Sequence, residues 1–100
     1  MEIKKSHFAP NGYVHAGSIV TLADTIAGYG CICNLPDKGL SFTTLELKTN
    51  FVGAIKNGSI KAEANLQHAG KTTQVWDVIV KNEENEKTIA LFRCTQLILY

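Results

Sequence analysis

The sequence predicts a single α+β domain spanning residues 1–100, in which one long helix precedes four antiparallel strands. Three observations carry this expectation. From Gly17 to Cys33 nearly every side chain is apolar or small, and Asp24 is the only charged one. After Gly39 the hydrophobic period changes from that of a helix to two. The segments of period two are separated by short polar or glycine-containing turns.

In chain order, Met1 to Ser6 is a short charged stretch that fits the end of a strand, and Phe8-Ala-Pro-Asn-Gly12 reads as a turn. The helix opens around Ala16 to Ser18 and runs to about Cys33, where Asn34, Leu35 and Pro36 stop it. Ile19, Val20, Leu22, Ala23, Ile26, Ala27, Tyr29 and Ile32 leave it no wide polar face, so other elements are expected to wrap it. Asp37-Lys-Gly39 is a second turn. In the first strand Leu45, Leu47 and Phe51 alternate with Thr44, Glu46, Lys48 and Asn50, which places the leucines and the phenylalanine on the buried side. Gly53 to Gly58 turns the chain into a strand alternating Ile60, Ala62, Ala64 and Leu66 with polar residues. Ala69-Gly70-Lys71 leads into Thr72 to Lys81, and Asn82 to Glu86 into Lys87 to Tyr100. Both later strands are apolar on two sides, at Val75 and Ile79 as well as at Ile89 and Leu91, as expected of central strands or of strands covered by a partner subunit. One strongly curved sheet around a central helix buries all of this.

Composition narrows the function classes. The chain is 45% hydrophobic and 19% charged with a formal net charge of +1, so no basic excess argues for nucleic acid. The helix has the minimum length of a membrane span, and with Asp24 near its middle a membrane role is set aside. Met1 to Gly12 has no apolar run like that of a signal peptide, and Cys31, Cys33 and Cys94 read as reduced core cysteines, so a cytoplasmic location is expected. No metal-ligand spacing occurs around His7 or His68, which read as solvated, and Trp76 and Phe92 read as core.

The chemistry concentrates at the helix. A carboxylate buried in apolar surroundings costs several kcal/mol unless it is paired, so Asp24 is either a structural acid satisfied by Thr21, Thr25 or the backbone, or a group whose reactivity is used. The helix N-terminus offers unpaired N–H groups to a developing negative oxygen, and His15 lies immediately before it. Nine residues of helix separate His15 from Asp24, a rise of about 13 Å. Both ends act on one carbon only if a two-fold axis brings Asp24 of one subunit to the helix start of another.

The run G-Y-V-H-A-G-S-I-V-T-L-A-D, Gly12 to Asp24, resembles the G-x-x-H-G-G-x-x-x-x-L-x-D signature of the hotdog-fold acyl-CoA thioesterases, the group that includes the phenylacetate-pathway and 4-hydroxybenzoyl-CoA enzymes. Thr43-Thr-Leu-Glu-Leu-Lys-Thr-Asn-Phe51, the Gly70-Lys71-Thr72 turn and the last strand are similar as well, so the resemblance covers essentially the whole chain. It implies a hotdog fold, short at its N-terminus, and hydrolysis of an aromatic or medium-chain acyl-CoA without metal or resident cofactor, coenzyme A being part of the substrate. It also implies that Asp24 attacks the thioester carbonyl or activates a water to do so. Ala16, where the family usually has glycine, would offer its N–H to the thioester oxygen beside Gly17, and His15 would orient the thioester. Thr44, or Thr43 if the register differs by one, would hold the attacking water. Gly70, Lys71 and Thr72 match the turn that meets coenzyme A, although a solvated Lys71 is the commoner role. Ala9 stands where many members have an asparagine, with Asn11 as the available substitute. A homodimer, and a dimer of dimers, are implied. A domain that binds acyl-CoA without cleaving it is the alternative; a hotdog dehydratase fits less well.

Overall fold

The apolar run forms helix α1, Ala16–Cys33, which begins at the first described residue and ends where its sequence suggests. The computed structural model describes residues 16–55 and 58–100, so the strand end expected at Met1 to Ser6 and the residues His7, Asn11, His15 and Lys56 lie outside the described residues. Asn34 ends the helix by donating its side-chain Nδ2–H to the Gly30 carbonyl (2.8 Å) and its backbone N–H to that of Cys31 (3.1 Å). Pro36 then prevents continuation. Four strands follow: β1 (Ser41–Phe51), β2 (Ile60–Ala69), β3 (Thr73–Asn82) and β4 (Thr88–Leu99). They form one antiparallel sheet in the order β1-β4-β3-β2, so the two strands with apolar residues on both sides are the central ones.

One face of the sheet carries the core. Trp76, Val78 and Val80 of β3 and Ala90, Phe92 and Cys94 of β4 pack against Ile19, Ala23 and Ala27 of α1, an i, i+4 stripe that Cys31 continues toward the helix end. Within one chain this cover is one-sided. Tyr29 and Ile32, 68% and 49% exposed, lie on the helix face turned away from the sheet. The stripe is made of small residues because aromatic rings fill the space beside them. A Cβ on Gly30 would stand 2.7 Å from Trp76 Cη2, and one on Gly28 would stand 3.0 Å from Phe42 Cζ. Glycine within a helix costs about 1 kcal/mol in propensity, and here that loss is offset by ring burial.

Three register slips change which residues face the helix, one of them in β2 between Leu66 and His68, and the other two alter expected faces. The β1–β4 register slips between Thr44 and Glu46, where Leu45 is the extra residue. The simple alternation expected for β1 is therefore corrected: Phe42 and Thr44 face the helix before the bulge, and Leu47, Thr49 and Phe51 after it, opposite buried Cys94, Phe92 and Ala90. A second slip, between Val80 and Lys81, and the segment at Ile55 fold over the end of β4. Ile89, expected to face a partner subunit, is instead buried in the core with Ile55 and Ile60. Cys33 is also corrected, since it is exposed, whereas Cys31 and Cys94 are buried.

The glycine contacts lead to a paired prediction. Gly30→Ala should destabilise the fold by about 1–3 kcal/mol through overpacking against Trp76. Gly17→Ala, whose Cβ meets nothing within 4 Å, should be neutral or gain up to about 1 kcal/mol. Urea denaturation of the two variants measures the difference, and equal effects would refute this packing account.

Candidate active site

Asp24 follows Ala23 in the helix and is half-buried at the rim of the core stripe. Its Oδ1 is shielded from solvent and has no hydrogen-bond partner among the described residues. The obvious local donor is engaged elsewhere, since the Thr21 hydroxyl donates to the Gly17 carbonyl (2.8 Å). A shielded polar atom left without a partner typically costs about 1–3 kcal/mol, and more when charged. The structural reading of Asp24, an acid satisfied by its own helix, therefore has no support at Oδ1.

The strand facing this carboxylate can be read from packing. Gly28 lies against Phe42. One helical turn back from Gly28, about 5.4 Å, is Asp24. Two residues along β1 from Phe42, about 6.6 Å, is Thr44, on the same face. The turn of α1 that carries Asp24 and the stretch of β1 that carries Thr44 thus adjoin the Gly28–Phe42 contact in the seam between α1 and β1. Cys94 underlies it. Its thiol is pushed up to about 11, first by burial and then by the negative charge of Asp24.

Thr44 is held by a residue that the sequence did not single out. Its hydroxyl donates to Oε1 of Gln96 (2.8 Å), and Gln96, fully buried directly opposite on β4, donates through Nε2 to Cys94 Sγ (3.3 Å). The Thr44 proton is thereby committed, and its oxygen lone pairs remain free to accept. Thr43 faces the other side of the sheet, opposite Leu97, so the helix-facing threonine of the pair is Thr44. A glutamine amid apolar strand residues has no distinguishing sequence signal beyond its polarity at an inward position. Thr49 was missed as well: its Oγ1, also buried, has no partner among the described residues.

Among the described residues the remaining candidates are not gathered at Asp24 within one chain. Ala16 and Gly17 are exposed at the helix start, eight residues or about 12 Å from Asp24. Gly70, Lys71 and Thr72 form a turn at the opposite end, beside the helix C-terminus. There the Gly70 N–H donates to Thr73 (2.8 Å), the Ile98 N–H to Thr72 (2.8 Å), and the Tyr100 hydroxyl to the Lys71 carbonyl. Gln74 joins this end of the sheet to the helix, donating to the Asn34 carbonyl (2.7 Å) while accepting from Trp76 Nε1 (2.8 Å). Lys71 and Thr72 line a hollow of about 560 Å³ with Pro36, Asp37 and Tyr100. A larger hollow, about 670 Å³, lies on the far side of the sheet around the Arg93–Asp77 ion pair, away from Asp24. Among the described residues no group of three or more His, Cys, Asp or Glu side chains could hold a metal ion.

Residues 11–89 match the model of the thioesterase superfamily. The chain is 33% identical over 95 residues to the 1,4-dihydroxy-2-naphthoyl-CoA hydrolase of Listeria monocytogenes, covering 95% of this chain and 76% of that enzyme. Its fold superposes on a thioesterase mutant from Staphylococcus aureus with a TM-score of 0.92 at 31% identity, over 100% of this chain and 82% of the other. A hypothetical thioesterase from Streptococcus pneumoniae, solved with coenzyme A, superposes with a TM-score of 0.87 at 27% identity, over 99% of this chain and 74% of that one.

The cysteine environments give a direct check on the geometry beneath Asp24. In the native protein at about pH 8, Ellman's reagent should label one thiol quickly, that of Cys33. Burial raises the Cys31 thiol, and burial with the Asp24 charge raises that of Cys94, so both should react only on unfolding. Fast labelling of Cys94 in the folded state would place it outside the core.

Proposed function

Because the chain belongs to the thioesterase superfamily and is a thioester hydrolase, we propose that its substrates are acyl-CoA thioesters and that Asp24 is the carboxylate that drives their hydrolysis. The observation that carries this reading is the shielded, unpartnered Oδ1 of Asp24, in the same seam as a threonine whose proton is already committed to Gln96. A water at this seam would donate one proton to Thr44 Oγ1 and the other toward Asp24, leaving a lone pair for the thioester carbon. As the new C–O bond forms, the water proton passes to Asp24 and the carbonyl oxygen becomes negative. Collapse of the tetrahedral intermediate breaks the C–S bond. The coenzyme A thiolate then takes the proton from Asp24, giving the free acid and the thiol.

The negative oxygen needs a donor, and the Ala16 N–H, with Gly17 and His15 beside it, is assigned that part. Its separation from Asp24 within one chain makes the site a shared one, completed by the helix start of a partner subunit in a symmetric dimer. Dimerisation would also cover the helix face that carries Tyr29 and Ile32. A dimer of dimers would use the outer sheet face at Val75, Ile79 and Leu91, with Ile89 no longer part of it. Gly70, Lys71 and Thr72 remain the assigned contact for the phosphates of coenzyme A, with the Lys71 ammonium exposed at the turn. Three free cysteines fit a reducing, cytoplasmic setting.

Free-thiol release from a panel of aromatic and medium-chain acyl-CoA substrates tests the catalytic assignment. Asp24→Asn should lower kcat/KM by about 100-fold or more while leaving the fold intact, because it keeps the shape of the side chain and removes the carboxylate base. Thr44→Val should reduce kcat by about tenfold with little change in KM. Undiminished turnover in Asp24→Asn would remove that residue from the mechanism. Tight acyl-CoA binding by the wild type without turnover would favour a carrier or sensor instead. Light scattering should show a dimer or tetramer at micromolar concentration, and a strict monomer would contradict the shared site.

A further inference from the structure

Among the described residues the polar ones buried as a whole are Gln74 and Gln96, which lie opposite each other on β3 and β4 with 1% and 0% of their surface exposed. With Thr44, opposite Gln96 on β1, they form a polar row across three strands on the helix-facing side of an otherwise apolar core. The hydrogen bonds of this row divide at its middle. Gln74 is engaged with the Asn34 carbonyl beyond the helix end and with the Trp76 indole. Gln96 is turned the other way, accepting the Thr44 proton at Oε1 (2.8 Å) and donating from Nε2 to buried Cys94 Sγ (3.3 Å). Burying an amide this deeply carries a desolvation cost that an apolar side chain of the same length would not.

We propose that Gln96 is a positioning residue of the hydrolysis, which acts through Thr44 by fixing the direction of its hydroxyl. The proposal rests on the reading of Thr44 as the group that holds the attacking water. The two ends of an amide are not interchangeable, since Oε1 only accepts and Nε2 only donates. With Nε2 anchored on the Cys94 sulfur, Oε1 is turned toward β1 and takes the threonine proton. Both donors of the chain, first Thr44 and then Gln96, point toward Cys94 beneath the seam, so Thr44 presents its lone pairs to the seam itself. A water bound there donates a proton to Thr44 and keeps its own lone pair for the thioester carbon. With an apolar side chain at position 96 the Thr44 hydroxyl is free to rotate. It can then donate to the water, occupying the lone pair that has to attack, or to the Asp24 carboxylate, making it a weaker base.

The test is a double-mutant cycle in kcat and KM on the best acyl-CoA substrate of the panel, with Gln96→Met and Thr44→Val made singly and together. Gln96→Met should lower kcat by about tenfold with KM within about twofold of wild type, and the double variant should be no slower than Thr44→Val alone, because Gln96 acts only through that hydroxyl. Gln74→Met is the control for loss of a buried amide. It gives up two hydrogen bonds and should lower the Tm, yet kcat should stay within about twofold of wild type. Gln96→Leu makes the same removal with a branched side chain, so the cycle can be completed even where the methionine variant does not fold. Wild-type kcat in the folded position-96 variant, or losses that multiply to about a hundredfold in the double variant, would overturn the proposal while leaving Asp24 and Thr44 in the mechanism. Equal losses of kcat in Gln96→Met and Gln74→Met would mark a packing effect and overturn it as well. Wild-type kcat in Thr44→Val, or no turnover by the wild type on any member of the panel, would overturn the reading of the site itself and this proposal with it.

Discussion

A carboxylate oxygen shielded from solvent and without a partner among the described residues, in an otherwise apolar helix, is the constraint on which the rest of this fold depends. Asp24 has a shielded oxygen that nothing among the described residues satisfies, although threonines lie on either side of it in the helix. Such a group is unfavourable in a domain of 100 residues, whose total stability is on the order of 5–15 kcal/mol. The surrounding packing has to compensate. It does so through the small stripe of Ala23, Ala27, Gly28 and Gly30, which lets the helix approach the sheet closely enough for Trp76 and Phe42 to fill the space beside it.

The same close approach aligns the chemistry. With Gly28 on Phe42, the turn that carries Asp24 and the stretch that carries Thr44 adjoin one contact, and the bulge at Leu45 keeps that threonine facing inward while Leu47, Thr49 and Phe51 continue the face beyond it. Behind Thr44, Gln96 and Cys94 form a short buried polar chain. That chain fixes the direction of the Thr44 hydroxyl without supplying a donor to Asp24. The seam thus combines a shielded carboxylate oxygen and an oriented hydroxyl acceptor in the first two elements, while β3 and β4 serve chiefly as the packed support on which they rest.

Much of this was legible in the sequence. The helix end at Cys33 and the four strands follow from periodicity, and the two-sided apolar pattern of the last two fits their central places in the sheet. Asp24 stood out as the only charge in an apolar run. The bulges were not legible, since an inserted residue leaves the local pattern plausible in either register and is fixed only by the partner strand. That is why Thr44 was read as outward-facing by alternation, although family likeness already marked it as a site residue, and why Ile89 was expected to face outward. Gln96 and Thr49 were missed because their importance lies in what they do or do not pair with across the sheet, a property no linear spacing reports.

In the proposed arrangement each site joins Asp24 of one subunit to the helix N-terminus of another. Its most direct test mixes two inactive variants. Asp24→Asn removes the carboxylate, and Ala16→Pro removes the proposed donor N–H at a position where proline is tolerated in a helix. After co-refolding in equal amounts, half of the dimers are mixed and each mixed dimer holds one complete site, so thiol release should recover to roughly a quarter of the wild-type rate. A mixture as inactive as its parents, although shown to contain mixed dimers, would mean that the site is built within a single subunit and would contradict the shared arrangement.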